Sequence, residues 1–272
     1  MFGAIVGDIA GSTYERCNFK FECCPIFAHG SQFTDDTVLT LATADHFIFG
    51  TSYEEVYRQF GRNYPHAGYG ASFRHWMLSE DPKPYNSWGN GSAMRASPIG
   101  WVATDLDWAL DEAKRSAEVT HNHPNGIKGA QAVASAVFLA RRGESKDFIR
   151  EYIAERFSYD LDRTVEEIRP GYLFEVNSEW SVPEAIIAFL DSSDFESAIR
   201  KAISIGGDSD TIACISGAIA HAFYGSIPQW MTDYCFNLLD VAQRSLITDF
   251  WERYPNKKAN KAEMATPRKP SD

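Results

Sequence analysis

The chain has 272 residues, of which 44% are hydrophobic and 23% charged. This is close to the globular average and excludes disordered, collagen-like and coiled-coil classes for most of the length. Lys plus Arg number 26 against 37 Asp plus Glu, a formal charge of −11, so a phosphate backbone is repelled and no stable nucleic-acid binding is expected. The five cysteines, Cys17, Cys23, Cys24, Cys214 and Cys235, form no C-x-x-C and no paired metal spacing. Reduced thiols in a cytoplasmic protein are the expectation. Met1 to Asp8 lacks a basic region, and no apolar run reaches about 18 residues, so neither a signal peptide nor a membrane span is expected.

In chain order, Gly3, Gly7 and Gly11 recur every four residues in an apolar first helix. The pattern fails the G-x-G-x-x-G template and predicts close approach of a neighbouring backbone. Glu15 follows, an acid that a surface position would explain equally well. After the breaker-rich His29 to Gln32 comes Phe33-Thr34-Asp35-Asp36-Thr37, and then an apolar helix from Val38 to Phe49. Ser52 to Asn63 opens with a capping box, Ser52 with Glu55, and carries Val56, Tyr57 and Phe60 on one face.

Tyr85 to Arg95 contains Trp88-Gly89-Asn90-Gly91-Ser92, a loop whose backbone N–H groups can approach a phosphate, although Asn-Gly is also a common turn. Thr120-His121-Asn122-His123 offers two histidines on a loop, as polar ligand contacts or as plain surface residues. Helices are predicted over Gly129 to Arg142, from Ser193 up to Gly206-Gly207, and over Thr211 to Tyr224, which is apolar nearly all round and belongs in the centre. The one candidate strand is Tyr172 to Val176. The architecture is therefore expected to be mainly α in a single domain over residues 1–254. Residues 255–272, with Lys257, Lys258, Lys261, Arg268 and Lys269 against Glu263 and Asp272, are expected to form a basic mobile tail.

Two acidic clusters carry the chemistry. Thr34, Asp35 and Asp36 form one, and Asp208, Asp210 and Thr211, after the Gly206-Gly207 turn, form the other. Either alone has the composition of a helix N-cap. Capping needs one acceptor, however, and each cluster supplies paired acids plus hydroxyls within apolar sequence, where like charges require a cation or a proton. All-oxygen donor sets favour Mg²⁺ or Mn²⁺ over Zn²⁺.

Read together, these stretches resemble the ADP-ribosylglycohydrolase family, of the dinitrogenase-reductase-activating glycohydrolase type. The pieces are Gly7-Asp8 through Glu15, Phe33 to Thr37, Gly89 to Arg95, Thr120-His121 and Ser204 to Ala213, in the family's order. The resemblance implies an all-α, compact single-domain orthogonal multi-helix bundle with a dinuclear metal site in a surface cleft. It implies two Mg²⁺ or Mn²⁺ ions held by Thr34, Asp35, Asp36, Asp208, Asp210 and Thr211. Gly89, Asn90, Gly91 and Ser92 match the loop that holds diphosphate and ribose, and His121 the position near the distal ribose and phosphate. Trp88, Asn122 and Gly206 complete the candidate substrate contacts. Glu15 and Asp36 are the candidate proton handlers.

The implied reaction is metal-dependent cleavage of the glycosidic bond between ADP-ribose and an arginine or serine side chain of a protein, or a smaller acceptor, releasing ADP-ribose. A different class is a binding or immunity protein that blocks an ADP-ribosylating toxin, and a more distant one is a nucleotide phosphohydrolase. The segment Phe19 to Gly30, with Cys23-Cys24-Pro25, matches no motif.

Overall fold

The computed structural model of the chain describes residues 1–255, and the helices follow from local caps and apolar faces. They are α1 (Phe2–Gly11), α2 (Asp35–Phe49), α3 (Tyr53–Asn63), α4 (Ala71–Leu78), α5 (Ser97–Val102), α6 (Leu106–Glu118) and α7 (Pro124–Arg142). The second half adds α8 (Lys146–Phe157), α9 (Val165–Ile168), α10 (Ser178–Leu190), α11 (Phe195–Ile205), α12 (Ser209–Tyr224), α13 (Gln229–Leu238) and α14 (Val241–Arg253). The fold is all-α, as expected. The basic segment expected from 255 onward lies, after Pro255, outside the described residues.

At the centre, α12 is buried from Ser209 through Ala222 and packs on α1, α7, α10 and α11. Every residue of α1 is buried too. The two helices touch backbone to backbone because Gly3, Gly7 and Gly11 present no side chain. A Cβ on Gly7 would lie 2.0 Å from the Ala213 carbonyl oxygen, and one on Gly11 2.3 Å from that of Ser209. The glycine spacing predicted this approach. The His221 imidazole closes the far end, its Nδ1 accepting the Gly3 N–H at 3.3 Å.

Several boundaries shift for identifiable reasons. The long helix α7 starts at Pro124 rather than Gly129, because His123 caps it through Nδ1 and Pro124 needs no N–H partner in the first turn. The acidic clusters span the cap and first turn of their helices: α2 begins at Asp35, after Thr34, and α12 at Ser209, after Asp208. Ser52 accepts from the Glu55 N–H at 3.2 Å, which is half of the expected capping box. Thr164 with Glu167, and Asp240 with Gln243, complete the reciprocal form.

Tyr172 to Val176 is an extended loop, not a strand, because it finds no partner strand among the described residues. Its neighbour Asn177 makes one isolated antiparallel bridge to Gly89. Val176 O accepts the Asn90 N–H at 2.8 Å, and Trp88 O accepts that of Ser178 at 3.1 Å. The extended loop thereby fixes the 88–92 loop beside the N-terminus of α10.

Candidate active site

One cleft of about 470 Å³ gathers most of the sequence candidates. Its walls include Glu15, Thr34, Asp35, Asp36, Gly89, Asn90, Gly91, His121, Asp208, Asp210 and Thr211. The two acidic clusters, about 175 residues apart, meet directly where the Thr211 hydroxyl donates to Asp36 Oδ1 at 3.2 Å. Oxygens of Glu15, Asp208 and Asp210 lie within 4.8 Å of one another. The glycine loop connects to the second cluster through Asn90, whose Nδ2 donates to Asp208 Oδ2 at 2.7 Å.

The capping alternative divides between the clusters. Thr34 caps α2, its Oγ1 accepting the Asp36 N–H at 3.3 Å. Asp208 occupies the cap position of α12 without a capping hydrogen bond, so its carboxylate stays turned toward Asn90 and the cleft. The tight turn before it requires Gly206 (φ 78°) and Gly207 (φ 69°).

The remaining candidates stand off the cleft wall. Ser92 is fully buried, its hydroxyl donating to Gly126 O at 2.7 Å. Trp88 is 45% exposed beside the loop. Asn122 is exposed, its Oδ1 accepting the Asn86 N–H at 2.7 Å. Gly206 packs behind the turn on Asn18 and Lys20.

The unaligned stretch after Glu15 turns out to be a brace. Asn18 Oδ1 accepts the Gly207 N–H at 3.0 Å, and Lys20 Nζ donates to Ile205 O at 2.5 Å and Tyr172 O at 2.6 Å. The segment that leaves Glu15 therefore holds the turn that presents Asp208.

Asp8, within the Gly7 to Glu15 stretch, takes a role that the structure reveals. Fully buried in α1, it accepts the Thr34 N–H at 2.9 Å, the Thr34 hydroxyl at 2.7 Å, the Thr37 N–H at 3.0 Å and the Thr37 hydroxyl. These bonds pin the first turn of α2. Its sequence signal was an acid inside an otherwise apolar helix, where only a paired carboxylate is tolerable. Arg95, the one base in the buried run Ala93 to Trp101, and Tyr85 also line the cleft.

Burial raises the pKa of Asp8 to about 7, helped by the Asp210 charge and opposed by its bonds to Thr34 and Thr37. Burial, then repulsion from Asp210, holds Asp35, Asp36 and Asp208 well above the usual carboxylate range. Burial also raises Asp210, and burial followed by Asp210 raises Glu15. No Lys or Arg among the described residues is a leading influence on the four core aspartates Asp35, Asp36, Asp208 and Asp210.

A carboxylate cage this dense is stable when a cation sits inside it. Asp36 Oδ2 supports that fit, because it is a buried oxygen with no hydrogen-bond partner. Hard oxygen donors without His or Cys suit Mg²⁺ or Mn²⁺.

Comparison with known proteins gives the class to which this helical fold and its oxygen-lined cleft belong. The family model described as ADP-ribosylglycohydrolase matches residues 1–260, and the chain belongs to that family, whose members hydrolyse ADP-ribosyl bonds. The human ADP-ribosylhydrolase ARH3 is 29% identical, covering 90% of this chain and 90% of its own. The ADP-ribosylarginine hydrolase Tri1 of Pseudomonas putida is 24% identical over 85% of this chain and 72% of its own. A solved structure titled as an ADP-ribosylglycohydrolase-related protein complex superposes with TM-score 0.70 at 23% identity, covering 92% of this chain and 95% of that one.

Proposed function

We propose that this chain removes ADP-ribose from a modified arginine or serine side chain of a protein, or from a smaller acceptor, with two Mg²⁺ or Mn²⁺ ions as cofactors. The observation that carries the reading is the convergence of residues 34–36 and 208–211 on one cleft with the Gly89–Gly91 loop on its wall.

Thr34, Asp35 and Asp36 would hold the cations from one side, and Asp208, Asp210 and Thr211 from the other. Bound there, divalent cations would orient a ribose diol and lower the pKa of water. The chain's own groups do the rest. The backbone of Gly89 to Gly91, with His121 behind it, receives the diphosphate, whose charge is best placed away from the acids. That polarity sets the direction in which ADP-ribose lies, with the scissile C1″ bond at the carboxylate end.

Cleavage builds positive charge on the sugar ring, which the surrounding carboxylates stabilise. Glu15, half-buried at the mouth and adjacent to Asp208 and Asp210, is placed to hand a proton to the leaving group or take one from water. Asp36, at 2% exposure, is the deeper candidate for the same task. The five free cysteines suit a reducing compartment, and we place the activity in the cytoplasm. No described helix is long and apolar enough to cross a membrane.

The test is to incubate the protein with arginine- and serine-linked ADP-ribosyl peptides, with and without Mg²⁺, and identify products by mass. Intact ADP-ribose released only with metal supports the reading. AMP or phosphate would point to a phosphohydrolase, and tight binding without turnover to a blocking protein. The Asp208→Ala/Asp210→Ala double variant should lose turnover while its helical circular dichroism persists, and full activity in that variant rejects the two-metal reading.

A further inference from the structure

The wall of the cleft that carries the glycine loop also carries a buried cation. Arg95 is fully buried, yet forms no ion pair among the described residues. Its Cζ lies 3.9 Å from the Tyr57 ring centroid, and its Nη2 donates to Ser116 O at 3.0 Å and to Thr120 Oγ1 at 2.9 Å. Nε and Nη1 have no hydrogen-bond partner. A buried charge with so few partners is costly by itself and favours an anion nearby.

The bond to Thr120 has a consequence for its neighbour. Thr120 is fully buried, and its hydroxyl lies 2.7 Å from His121 Nδ1. A hydroxyl has one proton and two lone pairs, whereas a guanidinium only donates. One lone pair therefore accepts from Arg95, and of the two side chains bonded to the hydroxyl among the described residues only the His121 ring can take its proton. The threonine proton is left for Nδ1, which accepts it, and the imidazole carries its own hydrogen on Nε2.

That nitrogen faces the glycine loop. A Cβ on Gly91 would lie 3.0 Å from His121 Nε2 and one on Gly89 3.8 Å away. Burial first, and the Arg95 charge second, hold the ring well below the usual histidine pKa, so it is a neutral imidazole with a defined donor side.

We propose that Arg95 and Thr120 are positioning residues that fix His121 as its Nε2–H tautomer, making the ring a hydrogen-bond donor to the diphosphate received by Gly89–Gly91. The opposite tautomer would turn a lone pair toward phosphate oxygen and repel it. The ligand named here rests on the proposed function, whereas the tautomer is a property of the free protein. Arg95 supplies the positive field behind the ring without touching the ligand, and Thr120 converts an obligate donor into a fixed proton position on the histidine.

The experiment reads both parts. Long-range ¹H–¹⁵N spectra of histidine-labelled wild-type protein should show His121 with a bare Nδ1 and a protonated Nε2. Thr120→Val should lose that signature and weaken ADP-ribose binding, measured calorimetrically with Mg²⁺ present, by about tenfold, the worth of one hydrogen bond to a charged group. In turnover the loss should fall on KM more than on kcat, and Thr120→Ser should restore tautomer and affinity together. A protonated Nδ1 in the wild type overturns the proposal, as does Thr120→Val with unchanged tautomer and affinity. If wild-type protein fails to bind ADP-ribose, the functional reading and the phosphate contact both fall. That result is told apart from failure of the relay because the tautomer is read without ligand.

Discussion

Substituting alanine at Gly11 and at Gly3 should separate packing from catalysis, because both glycines lie on the α1–α12 seam but only one lies beside the acids. A Cβ at Gly11 would stand 2.3 Å from Ser209 O and 2.6 Å from Asp210 Cα, and one at Gly3 2.2 Å from Gly217 O and 2.5 Å from His221 Cβ. Ordinary contact begins at 3.4 Å, so each variant needs about 1 Å of separation between backbones that have no rotamer to adjust. Such overpacking costs about 3 kcal/mol or more, and the better helix propensity of alanine offsets about 1 kcal/mol.

A net loss of about 2 kcal/mol lowers the Tm of a chain this size by roughly 4–8 °C. Thermal denaturation should show that fall in both variants, with Gly171→Ala, where a Cβ meets nothing within 4 Å, as the neutral control. Activity should diverge. Gly11→Ala shifts Asp210 by about 1 Å, a misplacement worth about a hundredfold in rate, while Gly3→Ala, at the His221 end, retains turnover below its Tm. Wild-type Tm and turnover in Gly11→Ala, or equal activity losses in the two variants, would refute the reasoning.

Two further outcomes follow from polar groups that hold helices in place. Asp8→Ala leaves the part-buried N–H of Thr34 and the buried N–H of Thr37 without acceptors, each worth about 1–3 kcal/mol, so denaturant midpoints should report a loss of about 3–5 kcal/mol along with lost turnover. A variant within about 1 kcal/mol of wild type would show that Asp8 does not pin α2. The second outcome concerns His46 and Glu112, 3.5 Å apart and joined by Tyr53. Burial disfavours the charged imidazole, but Glu112 and the Thr51 carbonyl outweigh it and raise His46 above 6.5. Burial likewise opposes the Glu112 charge, but bonds from His46 and Tyr53 prevail and hold Glu112 below 4.5. The histidine contribution is complete below pH 6.5 and disappears as pH rises through its elevated pKa, whereas the glutamate contribution is complete above pH 4.5 and disappears as pH falls through its depressed one. The stability difference between wild type and His46→Gln should therefore be greatest from pH 4.5 to 6.5 and shrink on the alkaline side. A difference that grows with pH would contradict the pairing.

The fold was legible where one physical rule acted alone. Glycines every fourth residue allow one outcome in an apolar helix, and Gly3, Gly7 and Gly11 meet α12 as that spacing requires. The all-apolar helix after Thr211 had to be central for the same kind of reason. The start of α7 was missed because the apolar run that marks it begins only at Gly129, whereas the His123 cap and Pro124 open the helix ahead of that run. The candidate strand failed because Tyr172 to Val176 is apolar for the sake of the cleft rim. Phe174 and Val176 line the site while remaining partly exposed, and no neighbouring strand pairs with them among the described residues.

The acids that converge on the cleft stand out in the sequence, whereas their supports do not, and the reason is physical. A metal-ligand type restricts itself to a few side chains, so Asp208 and Asp210 stand out of apolar sequence. A support needs only one hydrogen bond to a backbone group, which nearly any polar residue can make. Asn18 and Lys20 hold the Gly206-Gly207 turn through one N–H and one carbonyl, and nothing in their identities announces it. Asp8 is the intermediate case, a ligand-type residue spent on backbone. Because its carboxylate is satisfied by Thr34 and Thr37, it carries negative charge at the edge of the site without offering a free oxygen. The acids gathered around the cleft thus outnumber those with an oxygen left to offer a cation, and counting carboxylates in the sequence overstates the candidate ligands while understating the field.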